Sequence, residues 1–323
     1  KILFPGQTIF DSSKAPMDPG GIAVIDPRNP MTWFATLRRV KAFRPDIVLV
    51  QWWNPFIAPA LGTISRLLEA TGIRCIFECH NVFPHERGLF DLPLVDFALS
   101  PIRTFITHSS SDRDLLLNEF PAKTVFVAPL PPPASSLEPS LSQRTGRQIL
   151  FFGIVRQYKG LDILLRAMPK VLAEVDCRLL IAGEFYDPIE LYLNAIHESH
   201  LDPYIEVRNR YVPNEDIQGL FDQADLLVMP YLNATQSGIV QMARRAALPV
   251  VATRTGGLAE SVVEGESGLV CEPGDMDSLA NAILKYFRGN MGPVIAEKLR
   301  QSVTVVEPSQ LCLLIEALGE QVP

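Results

Sequence analysis

Residues 225–257 allow few folds, because the chain there alternates short apolar runs with glycine turns and one stretch of helical spacing. Residues 225–229 (DLLVM) form a short apolar run, as in a parallel strand covered on both faces. Residues 233–237 are small and polar. Residues 238–247 carry Ile239, Met242, Ala243 and Ala246 at helical spacing on one face. Residues 249–252 (PVVA) make the next apolar run, and Thr255, Gly256 and Gly257 follow it. Strand, loop, helix and strand in this order make a βαβ unit, which builds a parallel sheet. A helix that starts where a strand ends presents free N–H groups and a positive dipole end, suited to phosphate. Ser237 and Gln241 are four apart and share the face nearest such a ligand. A βαβ connection that binds nothing has the same pattern.

The same texture runs back to Gln148. Gln148–Phe152 is a strand, residues 153–160 (GIVRQYKG) are its loop, and residues 161–175 are a helix. Leu161, Leu164, Leu165, Met168 and Leu172 form that helix's apolar stripe. If the loop turns helically, Arg156 and Lys159 sit one turn apart and can reach one anion; otherwise they are two solvated charges. Strands follow at 177–182 and Ile205–Arg208, with helices at 188–200 and 217–223. Tyr211 and Val212 lie in the turn before the second of these. Residues 268–270 are a further strand, and helices are expected at 275–287, 293–302 and 308–319. Glu260, four after Gly256, either binds a ligand or caps a helix.

In the first half, residues 7–29 show no helical period and are broken by Pro16, Pro19 and Pro27. Pro30–Phe43 is a helix with Met31, Phe34, Leu37 and Val40 as its stripe. Arg38, Arg39 and Lys41 lie off it, on a solvated face or one suited to an anionic membrane. Residues 47–51 are a strand ending in Trp52, Trp53 and Asn54, where α/β sheets place ligands. The two tryptophans either stack on a sugar or lipid ligand or pack in the core. A helix at 59–70 and a strand at 74–78 lead to His80, again at a strand's carboxyl end. His85 and Glu86 either contact a ligand or cap a helix. The spacing of His80, His85 and Glu86 is no known metal-ligand signature, so no metal is expected. Residues 104–108 and 123–128 are strands. His108 reads as structural, because Ser109 to Asp112 cap the helix at 113–118. Residues 129–147, rich in Pro and Ser, read as an interdomain connection.

With 323 residues the chain holds two domains, and 47% hydrophobic residues supply their cores. A net charge of −7 argues against a nucleic-acid binder. Five scattered cysteines do not form a disulfide framework and point to a reducing cytoplasm. No apolar run approaches the roughly 20 residues of a membrane span, and no secretory signal is seen. No Gly-x-Gly-x-x-Gly follows a strand, which disfavours a nicotinamide enzyme.

Leu248 to Thr253 (LPVVAT), Gly256-Gly257, Glu260, and the loop from Gly153 through Lys159 resemble the family 4 glycosyltransferases of the GT-B fold. The likeness runs from about residue 47 to Phe287. The family carries two glutamates eight apart around a glycine turn. Ungapped, these fall on Ala234 and Met242; a one-residue slip puts the second on Gln241. The chain is similar to a bacterial branch reading Ala-Thr-Gln-Ser-Gly at this point. The family's arginine one after the glycine is Ile154 here, and Arg156 stands two further on.

The resemblance implies two Rossmann-like, doubly wound parallel-sheet domains facing a cleft. Their expected bounds are 1–134 on the acceptor side, 135–305 on the donor side, and a last helix at 306–323 crossing back to the first. Family members open with a strand, a glycine loop and a helix; residues 1–29 show no such unit, so the first domain is expected to lack it. The implied activity is retaining transfer of a sugar from a UDP- or GDP-sugar to a glycan or lipid-linked glycan, with no cofactor. In this reading His80 is catalytic and orients the sugar. Gly153, Arg156 and Lys159 hold the diphosphate, and Tyr211 and Val212 the base. Gln236, Ser237, Gly238 and Gln241 bind sugar and phosphate, and Glu260 the ribose. Trp52, Trp53, Asn54 and His85 face the acceptor. The protein is expected in the cytoplasm, with peripheral membrane contact open. Two other readings remain: a catalytically silent nucleotide-sugar binder, and a non-transferring GT-B enzyme such as an epimerase, which needs acid/base carboxylates.

Overall fold

The computed structural model describes residues 22, 24–83, 90–131, 137–139, 147–303 and 310–320. The chain divides into two compact units. One takes in the described residues between Gly20 and Pro131 and between Pro308 and Pro323; the other takes in those between Pro132 and Glu307. The opening strand and turn and most of the Pro/Ser-rich connection lie outside the described residues, and so does the question of a missing first βα unit.

The first unit holds a four-stranded, all-parallel sheet of β1 (Ile47–Trp52), β2 (Arg74–Cys79), β3 (Thr104–Thr107) and β4 (Thr124–Val127), in that order. Its helices include α1 (Pro30–Phe43), α2 (Ala58–Glu69), α3 (Asp91–Leu99) and α4 (Ser110–Glu119). Asn29 caps α1 by accepting from the Met31 N–H, and Pro30 occupies its first turn. The helix is turned from its expected face: Met31 and Phe34 are 74% and 50% exposed, while Trp33, Leu37 and Val40 pack on the core. A strict three-residue repeat drifts around a 3.6-residue helix, whereas positions 33, 37 and 40 keep its period. No element is expected from the sequence over α3.

Trp52 is fully buried, with its ring 6.3 Å from Phe77, which lies 6.2 Å from Phe105. These three rings cross β1, β2 and β3, and the Trp52 Nε1–H donates to Val82 O at 3.3 Å. Trp52 is therefore a core residue, and the acceptor-facing expectation for it is corrected. Its neighbour Trp53 is 48% exposed, as strand alternation requires. Trp52→Ala is expected to destabilise this unit by about 3–5 kcal/mol, the usual cost of emptying a large aromatic site, measured by urea unfolding.

The second unit is a six-stranded parallel sheet of β5 (Gln148–Phe152), β6 (Arg178–Ala182), β7 (Ile205–Arg208), β8 (Leu226–Met229), β9 (Val250–Thr253) and β10 (Gly268–Cys271). Its helices are α5 (Leu161–Leu172), α6 (Ile189–Glu198), α7 (Asn214–Gln223), α8 (Gly238–Arg245), the short α9 (Gly256–Glu260), α10 (Met276–Arg288) and α11 (Met291–Val303). The order is β10-β9-β8-β5-β6-β7. The chain moves outward from β5 to β7, then returns to the other side of β5 with β8. Side-chain clusters cover both faces, which is why the central strands β8 and β9 read as short apolar runs, whereas the edge strand β7 alternates. β5 and β8 flank the reversal in winding, where open α/β sheets bind ligands beyond the strands' carboxyl ends.

The closing helix α12 (Gln310–Glu320) packs on the first unit's sheet. Leu311 and Leu318 are buried with Ile76, Ile106 and Ala128, and Arg74 Nη1 donates to Leu318 O at 3.4 Å. Among the described residues no helix is long and apolar enough to cross a membrane.

Candidate functional site

The loop after β5 and the loop after β8 meet at the winding reversal. The Leu232 N–H donates to Tyr158 O at 2.7 Å and ties them together. Gly160 sits at φ +67°, and a Cβ there would lie 2.0 Å from Pro230 O. Only glycine fits a left-handed position so close to backbone. The pinned loop ends in a single 3-10 turn, Gln157–Lys159, which directs the Lys159 side chain inward.

Lys159 is 8% exposed, with Nζ 5.4 Å from the Tyr231 ring centroid. Among the described residues no carboxylate pairs with it. Burial, and then the nearby charge of Arg156, push its pKa down from 10.5 to about 8. A buried cation without a counter-ion is costly unless an anion arrives. Arg156 lies at the head of the same turn, with its guanidinium 5.0 Å from the Tyr186 ring centroid. A Cβ on Gly153 would sit 3.3 Å from Lys159 Nζ and 2.9 Å from Ile239 Cδ1. Gly153, Lys159 and the first turn of α8 therefore converge.

Ser237 caps α8: its Oγ accepts from the Ile239 N–H at 3.3 Å, and Ser237 O accepts from the Val240 N–H at 3.1 Å. Its side chain is also the polar neighbour of the buried Tyr231 hydroxyl, whose pKa burial pushes up. Gln236, Ser237, Gly238 and Gln241 are half-buried at the start of α8. Ala234 and Met242, where ungapped alignment puts the family's two glutamates, are 3% and 7% exposed within an apolar cluster, while Gln241, the alternative for the second, is half-buried.

Tyr211 and Val212 follow β7, and Val212 helps line a hollow of about 300 Å³ with Ala182, Arg208, Arg210, Glu215 and Leu220. Glu260 is exposed at the end of α9.

His80 belongs to the first unit and sits just past β2. Sheet register sets Gln51 opposite Glu78 and Cys79 opposite Thr107, which brings His108 beside His80. Their ring centroids are 5.0 Å apart. Gln51 Nε2 donates to Glu78 Oε2 at 2.6 Å, and His80 Nε2 contacts Gln51 Oε1. Glu78 is 3% exposed; burial raises its pKa, but hydrogen bonds from His108 and Gln51 outweigh this and hold it below the usual value. Asn54 caps a 3-10 turn through the Phe56 N–H. His85 and Glu86 lie outside the described residues.

Sequence reasoning missed Tyr231, Tyr186, Arg208 and Arg210 beside the expected donor residues, and Gln51, Glu78 and His108 beside His80. Strand register is the signal that finds the last three; spacing along the chain does not.

Residues 146–288 match the family model of glycosyl transferases group 1. Over 146 residues the chain is 30% identical to a D-inositol 3-phosphate glycosyltransferase of Corynebacterium diphtheriae, covering 41% of this chain and 32% of that one. Over 136 residues it is 32% identical to a GDP-mannose-dependent phosphatidylinositol monomannoside mannosyltransferase of Mycolicibacterium smegmatis, covering 39% and 34%. The chain thus spans about a third of the length of these curated relatives. Its fold superposes on sucrose-phosphate synthase from Thermosynechococcus elongatus with a TM-score of 0.71 at 17% identity, over 94% of this chain and 86% of the other. Against Anabaena HepE in complex with UDP the TM-score is 0.69 at 14% identity, over 90% and 81%. Each unit's parallel α/β fold is that found in these solved glycosyltransferase structures, and residues 146–288 are similar to the glycosyl transferases group 1 family.

Proposed function

We propose that the protein is a retaining glycosyltransferase that takes a sugar from a nucleotide diphosphate and passes it to a glycan or lipid-linked acceptor. The observation that carries this is Lys159, buried at the winding reversal of the second sheet with no carboxylate partner among the described residues. Lys159 and Arg156 neutralise the diphosphate, which stabilises it as a leaving group when the sugar departs. The N-terminus of α8 adds backbone donors and a positive dipole end. Gln236, Ser237 and Gln241 take the sugar and phosphate through neutral hydrogen bonds. The hollow beside Val212 receives the base, and Glu260 the ribose. No cofactor is needed. The family resemblance assigns His80 to orienting the sugar, and Trp53, Asn54 and His85 to the acceptor. The leaving diphosphate assists deprotonation of the acceptor, so the carboxylates absent from positions 234 and 242 are not required. The UDP held by HepE and the phosphatidylinositol-linked acceptor in the relative's name support this class of donor and acceptor. A lipid-linked acceptor would place the protein at the cytoplasmic face of a membrane.

The apolar packing of Ala234 and Met242 also favours a second reading, a nucleotide-sugar binder without turnover. Calorimetric titration with UDP and GDP, followed by incubation with a panel of UDP- and GDP-sugars with and without glycan acceptors, separates the two. Nucleotide release that needs acceptor, with the product's anomeric configuration retained by NMR, is the expected result. Binding without release from any donor supports the silent reading, and no binding of either nucleotide sinks both.

A further inference from the structure

We propose that Glu78, His80 and His108 form a binding site for a divalent transition metal of the zinc class. One ligand atom from each residue lies within 4.8 Å of the others. His108 Nε2 is 3.2 Å and His80 Nε2 3.9 Å from Glu78 Oε1. His108 Nδ1 lies 2.9 Å from Ala128 O, and a carbonyl only accepts, so Nδ1 carries the hydrogen. Nε2 then faces a carboxylate oxygen, which also only accepts. That line needs positive charge, either a proton or a metal ion.

The surroundings favour the ion. A metal-bound histidine usually donates its other N–H to a carbonyl or carboxylate, and the ligating carboxylate is itself hydrogen-bonded. Ala128 O holds His108 in this way, and Gln51 Nε2 holds Glu78 Oε2 at 2.6 Å. Two imidazoles and one carboxylate are a common zinc set, with a fourth position left for water. Bonds of about 2.0–2.2 Å require the three donors to close by roughly 1 Å. His80 is the member that moves: its side chain is 34% exposed, against 0% for His108 and 4% for Glu78. Turning from Gln51 Oε1 toward Glu78 completes the triangle and leaves an entry path on the exposed side.

The proposal stands on this cluster alone and not on the donor-site reading. Where both hold, metal capture draws His80 away from the sugar. The test uses the full chain stripped of metal, titrated with ZnCl2 by calorimetry and with CoCl2 by visible absorption. One equivalent of zinc and a tetrahedral cobalt spectrum are expected in the wild type. Glu78→Gln and His80→Ala should each weaken zinc uptake at least about tenfold. Their melting temperatures in chelator show whether the variants fold, and the half-exposed His80→Ala keeps the test open if Glu78→Gln does not. No stoichiometric uptake by the wild type, or unchanged uptake in His80→Ala, overturns the proposal and leaves the cluster an imidazole–carboxylate ion pair.

Discussion

Lys159→Met is expected to make the protein more stable and nearly unable to bind nucleotide diphosphates. The fold lowers this lysine's pKa from 10.5 to about 8 through burial and then the charge of Arg156. In the unfolded chain the lysine keeps its proton up to about 10.4. Between these values the unfolded state binds more protons, so wild-type stability rises with pH there. Below pH 8 the full cost of burying the charge is present, roughly 3 kcal/mol. A methionine fills similar space without the charge, so the gain appears at neutral pH and fades above about pH 10. In a thermal melt the second unit's transition should rise on the order of 5–10 °C.

The same substitution removes the charge that the diphosphate would meet. Loss of a charge-assisted contact of this kind weakens binding roughly 100-fold. Wild-type affinity should be flat below pH 8. Above it, binding must take up a proton, and affinity falls by up to about tenfold per pH unit. The variant should show no such slope. A variant that is less stable, or that binds as the wild type does, would count against placing an anion beside Lys159.

Gly160→Ala is expected to disable the same site by geometry. The new Cβ would lie 2.0 Å from Pro230 O, at a φ of +67° that side chains rarely adopt. Backbone must move, and the Tyr158–Leu232 hydrogen bond that ties the two loops moves with it. The expected cost is on the order of 3 kcal/mol of stability, together with loss of nucleotide binding. Gly265→Ala is the control: Gly265 also has positive φ, at +76°, but nothing lies within 4 Å of its Cβ position. It should cost only about 1 kcal/mol and leave binding intact. Denaturant unfolding and calorimetry on the three proteins check both halves.

Legibility from sequence varied with the kind of information required. The central strands of the second unit were plain because a buried parallel strand is a short apolar run between turns, as at Leu226–Met229. The loop carrying Arg156 and Lys159 was visible because it lies between such a strand and an amphipathic helix. α3 was not, since Leu92, Pro93, Leu94, Val95 and Phe97 crowd it with apolar side chains and leave no polar face to set a period. The face of α1 was misjudged for want of the partner surface. Glu78 and His108 belong to different strands and meet through register, which pairwise spacing cannot reveal. Trp52 and Trp53 were indistinguishable until strand alternation sent one inward and the other out.

The helix Gln310–Glu320 completes a layer begun far earlier in the chain, with Leu311 and Leu318 closing over Ile76, Ile106 and Ala128. During synthesis the ribosome therefore makes the first sheet long before the piece that covers it. The second unit, whose described strands and helices are continuous in sequence, can mature as it emerges, while the first waits with an uncovered apolar face. Translation order makes the first unit finish folding after the second, and the interval before residues 310–320 emerge is when that unit most needs protection from aggregation.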